Sequence, residues 1–259
     1  MSSFVNSNDA IQRMNSELQE AQLELLSAHC AVHQLRLHYS TNDLARFGQR
    51  EVLRKSADAA SALHQFYSQI ETTIPRLEVV SAAPQPSPEQ VEEAIGWLSE
   101  YLEQQREYYF SFSGCLSPQH KTMLRPYFSL GLLDRVRVLE LHGARVPAPD
   151  FFAKIRAAGF EPPEISHMDS LTFGDVVVFN QYITLRALFH ALVHTVQIEI
   201  LGMPRYAELW VRSFIQTRTH FTVPLEVHAF SLSSKFLNPL TQKFSVEEHV
   251  ARWNNEARY

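Results

Sequence analysis

Cysteine is almost missing from this chain: Cys30 and Cys115 are its two thiols among 259 residues, and no paired spacing links them. That excludes a disulfide framework and points to a reducing compartment. An excess of positive charge is also missing, with 23 Lys and Arg against 28 Asp and Glu and a formal net charge of -5. Such a balance leaves no electrostatic footprint for nucleic acid or for an anionic membrane. Nor is there an uninterrupted apolar run of about 18 residues or more, the length that a membrane-spanning helix requires. The opening segment, Met1 to Asp9, lacks a basic stretch followed by an apolar one, so no signal peptide is expected and the cytoplasm is the expected location. What is present is ordinary: 45% hydrophobic and 20% charged residues give enough apolar material for a sizeable core without cross-links.

The pattern of that material differs between two regions. Over 9–40 a seam of Ile11, Met14, Leu18, Ala21, Leu25, Ala28, Val32, Leu35 and Tyr39 alternates three- and four-residue steps, the grammar of a helix facing a partner helix. A second helix is expected over 43–72, with a weaker stripe. Residues 81–88 form a linker rich in proline and serine. A third helix opens at Ser87-Pro88-Glu89-Gln90, with serine at the N-cap, proline at the first helical position and glutamine at the third. Residues 1–113 therefore read as a helical bundle or hairpin, which packs on the rest of the chain or mediates homo-oligomer or partner contact. Beyond Gly114 short β-type runs appear at 136–141 and 175–180. Helices are expected at 118–125, 130–134, 149–158, 184–201, 204–216, 224–237 and 245–256. The fold class is α+β, mainly α, with a second domain at 114–259 built around a small sheet.

Chemistry concentrates in the apolar helix that ends at Gly202. His190 and His194 lie four residues apart, about 40° around the helix and one turn above each other. Two imidazoles so placed either satisfy each other and their surroundings by hydrogen bonds or hold one metal ion. Downstream, Pro224 starts a helix and sets Glu226 in its first turn, between Val223, Leu225 and Val227. A carboxylate in apolar company calls for pairing or a metal. His190, His194 and Glu226 would make a two-histidine, one-glutamate site with an open fourth position, the arrangement of catalytic rather than structural zinc.

The segments Leu124–Val138, Leu171–Val178, Leu188–His194, Val223–Glu226 and Phe244–Val246 together resemble a family of bacterial proteins related to the glutamate-type zincin metallopeptidases, the gluzincins. The resemblance covers roughly 120–259. It implies a zincin-like domain with an active-site helix, Zn2+ held by His190, His194 and Glu226, and hydrolysis of an amide by metal-activated water. The family motif is His-Glu-x-x-His, and its glutamate is the general base. Ala191 stands in that place here. Glu199 faces the opposite side of the helix, and Gln197, though on the metal face, is an amide that serves only to orient a ligand. Either the alanine is a deliberate replacement of the motif glutamate, or the chain is a natural pseudoenzyme.

The expectation is thus a zinc-dependent hydrolase scaffold that is inactive or severely impaired as written. The alternatives are a metal-stabilised binding or regulatory protein, or a metalloenzyme acting on a small molecule, since the same ligand set also holds iron. His220 is a candidate hydrogen-bond donor to a developing oxyanion. Tyr206, Arg212, His142 and His167 are lesser candidates for substrate contact, and Asp175 for a bond to a metal-bound imidazole. His228 is expected to point elsewhere.

Overall fold

The computed structural model describes residues 85–218, 220–237 and 242–259. The helices expected at 9–40 and 43–72, and the oligomer or partner contact assigned to them, lie outside the described residues. The described residues up to Leu232, together with 243–259, form one compact unit.

Helix α1 spans Pro88–Phe110 and carries the expected capping box: Gln90 N–H donates to Ser87 Oγ at 3.3 Å, and Ser87 N–H donates to Gln90 Oε1 at 2.8 Å. Short helices α2 (Pro118–Leu124) and α3 (Leu130–Arg135) follow, with Ser117 and Ser129 as N-caps. The hydroxyl at each start accepts from a backbone N–H that the helix leaves unpaired. After α4 (Phe152–Ala157) and a 3-10 turn at Ile165–His167, the chain reaches the long helix α5 (Leu185–Leu201), capped by Thr184. Gly202, at φ 77, ends α5 and lets α6 (Met203–Thr217) begin at once in a new direction, with Pro204 in its first turn. Helices α7 (Pro224–Leu237) and α8 (Val246–Asn255) complete the described elements.

Four strands, β1 (Gly114–Cys115), β2 (Arg137–Glu140), β3 (Ser170–Phe173) and β4 (Val176–Phe179), form one sheet in the order β1-β2-β4-β3. The pair β2 and β4 is parallel, Val138 opposite Val177, and the outer pairs are antiparallel. Every residue of β4 is buried. That explains its unbroken Val-Val-Val-Phe sequence, since a strand covered on both faces needs no polar alternation. Strands β3 and β4 are joined through Gly174-Asp175, and Gly174 takes φ 66 at the first turn position, where tight hairpins call for glycine.

The structure matches the expected mainly helical α+β class and places most helices and both expected strands near their predicted bounds. Helix α1, grouped above with residues 1–113, packs along α6 and over β3 and β4. Leu102 and Tyr109 enter the core shared by Phe173, Val176, Tyr206 and Leu209, and Arg106 clamps the β-turn through a two-pronged bond to Asp175 at 2.6 and 3.0 Å. The compact unit therefore starts before α1, because the apolar stripe of α1 has the sheet and α6 to bury against. Among the described residues no helix is long and apolar enough to cross a membrane.

Candidate metal centre

Helix α5 is buried around most of its circumference. Leu188, Phe189, Leu192 and Val193 are closed to solvent, and Phe189 meets Tyr127 and Phe128 edge-on. Full burial of each such side chain is worth about 1.5–3 kcal/mol, so the helix is held firmly in register. His190 and His194 project from it toward the first turn of α7, where Glu226 sits.

The three side chains converge. His190 Nε2 and His194 Nε2 are 3.1 Å apart, and Glu226 Oε2 lies 3.5 Å from the first and 3.3 Å from the second. Side-chain exposures of 18%, 8% and 16% show that the cluster is largely shielded from solvent. Among the described residues this is the one grouping able to hold a metal ion.

Hydrogen bonds fix the chemical state of His194. Gln197 is fully buried, and its Nε2 donates to the Leu225 carbonyl at 3.0 Å, so its Oε1 must face His194 Nδ1, 2.8 Å away. An amide oxygen accepts only, so Nδ1 carries a proton in either charge state, and whenever the ring is neutral its Nε2 lone pair faces the cluster. That is the tautomer a metal needs, and it is set by the outer partner, as in other metal-binding histidines. The Tyr206 hydroxyl sits 3.2 Å from the same Nδ1 and adds a second acceptor. His190 packs against Phe230 with ring centroids 4.4 Å apart.

The charges are coupled. Burial acts to raise the Glu226 carboxyl, but the His194 charge and the hydrogen bonds of both histidines outweigh it and hold the group well below the usual carboxylate range. Burial acts to lower His194, and Glu226 with Gln197 reverses this into a raised value. His190 goes down, chiefly by burial. A cation entering the cluster would compete with any proton on the imidazole nitrogens that face Glu226.

The other candidates take different places. Ala191 is closed to solvent on α5, and its backbone carbonyl accepts from Thr172 Oγ1 of β3 at 3.2 Å. His220 opens a 3-10 turn at His220–Thr222, packed on Phe221; burial lowers its pKa, while the Glu226 charge acts to raise it. It is thus near the cluster without joining it. Tyr206 supports His194 from behind. Asp175 binds Arg106 rather than an imidazole, and Arg212 is engaged by Glu208 and Glu92. Glu199 faces away as expected, paired with Arg135 at 2.6 Å. His142 and His167 are exposed, the first in an isolated bridge with Ala144 and the second at the end of the 3-10 turn. His228 points away from the cluster, stacked on Trp253 with centroids 3.8 Å apart. Sequence reasoning missed Tyr259, whose hydroxyl bonds His228 Nδ1 at 2.8 Å; no motif or periodicity marks it.

The chain matches no protein-family model, no curated protein and no solved structure.

Proposed function

We propose that this chain is a zinc-binding protein of gluzincin-like build, with His190, His194 and Glu226 as ligands, and that with Ala191 it hydrolyses amides poorly or not at all. The observation that carries this reading is the donor triangle, with edges of 3.1, 3.3 and 3.5 Å. Ligand bonds of about 2.0–2.1 Å at tetrahedral angles separate donors by about 3.3 Å. Three convergent donors, one tautomer already selected, and a fourth position without a ligand from these side chains are what a catalytic zinc requires. Zinc held there would supply Lewis-acid chemistry: activation of water and polarisation of a carbonyl.

Metal quantification on the purified chain tests the proposal, with about one equivalent of zinc expected. The variants His190→Ala, His194→Ala and Glu226→Ala should each lose most of it. Retention of full stoichiometry by all three, or no zinc in a folded parent chain, would sink the reading.

A natural pseudoenzyme draws support from one observation. Ala191 is closed to solvent on α5, a site that suits a methyl group. On that reading the metal braces a binding or regulatory surface, and Ala191→Glu gains no hydrolytic activity.

A further inference from the structure

Helix α6 ends on a residue in an uncommon backbone conformation. Arg218 takes φ 61, in the left-handed region, with its N–H bonded to the Phe214 carbonyl at 2.8 Å. Glycine most often fills such a position, because a residue with a Cβ is strained there. The turn sets the guanidinium over Phe160, its central carbon 3.7 Å from the ring centroid. Guanidinium groups stack readily on aromatic faces, and at this distance the ring restricts how the group can rotate. Nη1 reaches the Gly159 carbonyl at 3.5 Å.

The other edge of the guanidinium is unpartnered. Nε and Nη2 are both closed to solvent, and neither has a hydrogen-bond acceptor. Burial lowers the Arg218 pKa, with no carboxylate acting against it. Nε and Nη2 are the two parallel donors of a fork that grips a carboxylate. Arg106 uses the same two atoms to hold Asp175 at 2.6 and 3.0 Å. A buried donor left unmet costs about 1–3 kcal/mol, and more when it is charged. Proteins rarely keep two such donors side by side without an acceptor for them. The carboxylates that follow Phe160 in the chain do not supply one: Glu161 and Glu164 turn to Arg156, at 3.5 and 3.4 Å.

We propose that the Arg218 fork, braced by Phe160, is a binding site for a small molecule that carries a carboxylate. Two coplanar oxygens match two coplanar N–H groups, as the Arg106 pair with Asp175 demonstrates within the same chain. Charge selects among oxyanions. Glu161 and Glu164 together outweigh Arg156, so the field of this loop disfavours a doubly charged phosphate more than a singly charged carboxylate. Arg218 is only half-buried as a residue, so the layer covering the fork is shallow enough for an incoming ligand to part. None of His190, His194 and Glu226 takes part, and the inference stands without the metal reading.

The test is a proton–nitrogen correlation spectrum of the full-length, metal-free protein, with the Arg218 Nε–H signal assigned by its loss from Arg218→Lys. Sodium acetate, added at constant ionic strength against chloride, is expected to move that signal downfield along a saturable curve, while the Arg106 Nε–H signal stays in place. Inorganic phosphate should bind more weakly. Arg218→Lys keeps the charge and loses the fork; acetate binding, followed through the backbone signals of Gly159 and Phe160, should weaken about 10–100-fold. Absence of a saturable shift, tighter binding of phosphate than of acetate, or equal acetate affinity in Arg218→Lys overturns the inference. Should Arg218→Lys fail to fold, Phe160→Leu removes the ring that steadies the guanidinium. A loss of about two- to fivefold is then expected, and unchanged affinity there also overturns it.

Discussion

Replacing Gln197 with methionine keeps the volume of a fully buried side chain and deletes both of its polar ends. Two bonds vanish: the 2.8 Å contact with His194 Nδ1 and the 3.0 Å bond to the Leu225 carbonyl. Each lost hydrogen bond is worth about 1 kcal/mol, and a buried group left without a partner adds about 1–3 kcal/mol. The Tyr206 hydroxyl, 3.2 Å from Nδ1, still accepts from His194, so the full penalty falls mainly on Leu225. The metal-free protein should therefore lose about 2–4 kcal/mol, read by urea denaturation in the presence of a chelator. Zinc affinity should fall about 10–100-fold, because His194 keeps its lone pair but not its fixed orientation. Competition against a chromophoric chelator measures this directly. A Gln197→Met protein that unfolds earlier yet binds zinc as tightly as the parent would refute the view that the amide orients a ligand.

Further outcomes follow from the same geometry. Ala191→Glu, assayed on a panel of peptides, should raise amide hydrolysis by about 10²–10⁴-fold if only the general base is missing; no gain in a folded, zinc-loaded protein favours the pseudoenzyme. The pH dependence of the metal-free protein has a definite sign. Glu226 is depressed, so its contribution is present above about pH 4.3 and lost as pH falls through its lower folded value. His194 is raised, so its contribution is full below about pH 6.5 and lost as pH rises through its folded value. The stability gap between the parent and Glu226→Gln should therefore be widest between those limits and narrow on both sides; a gap independent of pH would contradict the coupling. Gly174→Ala should cost about 1–2 kcal/mol in urea denaturation, since φ 66 is strained for alanine and a Cβ would lie 3.5 Å from Arg106 Cδ and Met203 Cε.

Much of the fold was legible because it rests on local rules. Serine or threonine at the N-cap, proline in the first turn and Gly202 at a helix end mark boundaries through unpaired backbone groups, which neighbouring residues in the sequence must satisfy. The unbroken valines of β4 announced a strand, and the structure shows each of its residues buried. By contrast β3, Ser170-Leu-Thr-Phe173, is four residues at a sheet edge with intermediate burial over most of its length. Its pairing with β4 comes from the turn and the neighbouring strand, not from its own pattern. The two-residue β1 carries even less signal.

The sequence by itself determined the histidine pair and its helix, because a spacing of four residues dictates a shared face whatever surrounds it. It also pointed to Glu226, since a carboxylate among valines and leucines needs a cation, and it revealed that alanine stands beside the first histidine. Only the tertiary structure brought Glu226 within 3.5 Å of both rings, turned Gln197 so that His194 has one tautomer, and carried α1 onto the sheet. It alone brought the Tyr259 hydroxyl to His228 Nδ1, 31 residues away in the chain. Distances of that kind depend on how helices cross and where turns reverse the chain, and no periodicity encodes them.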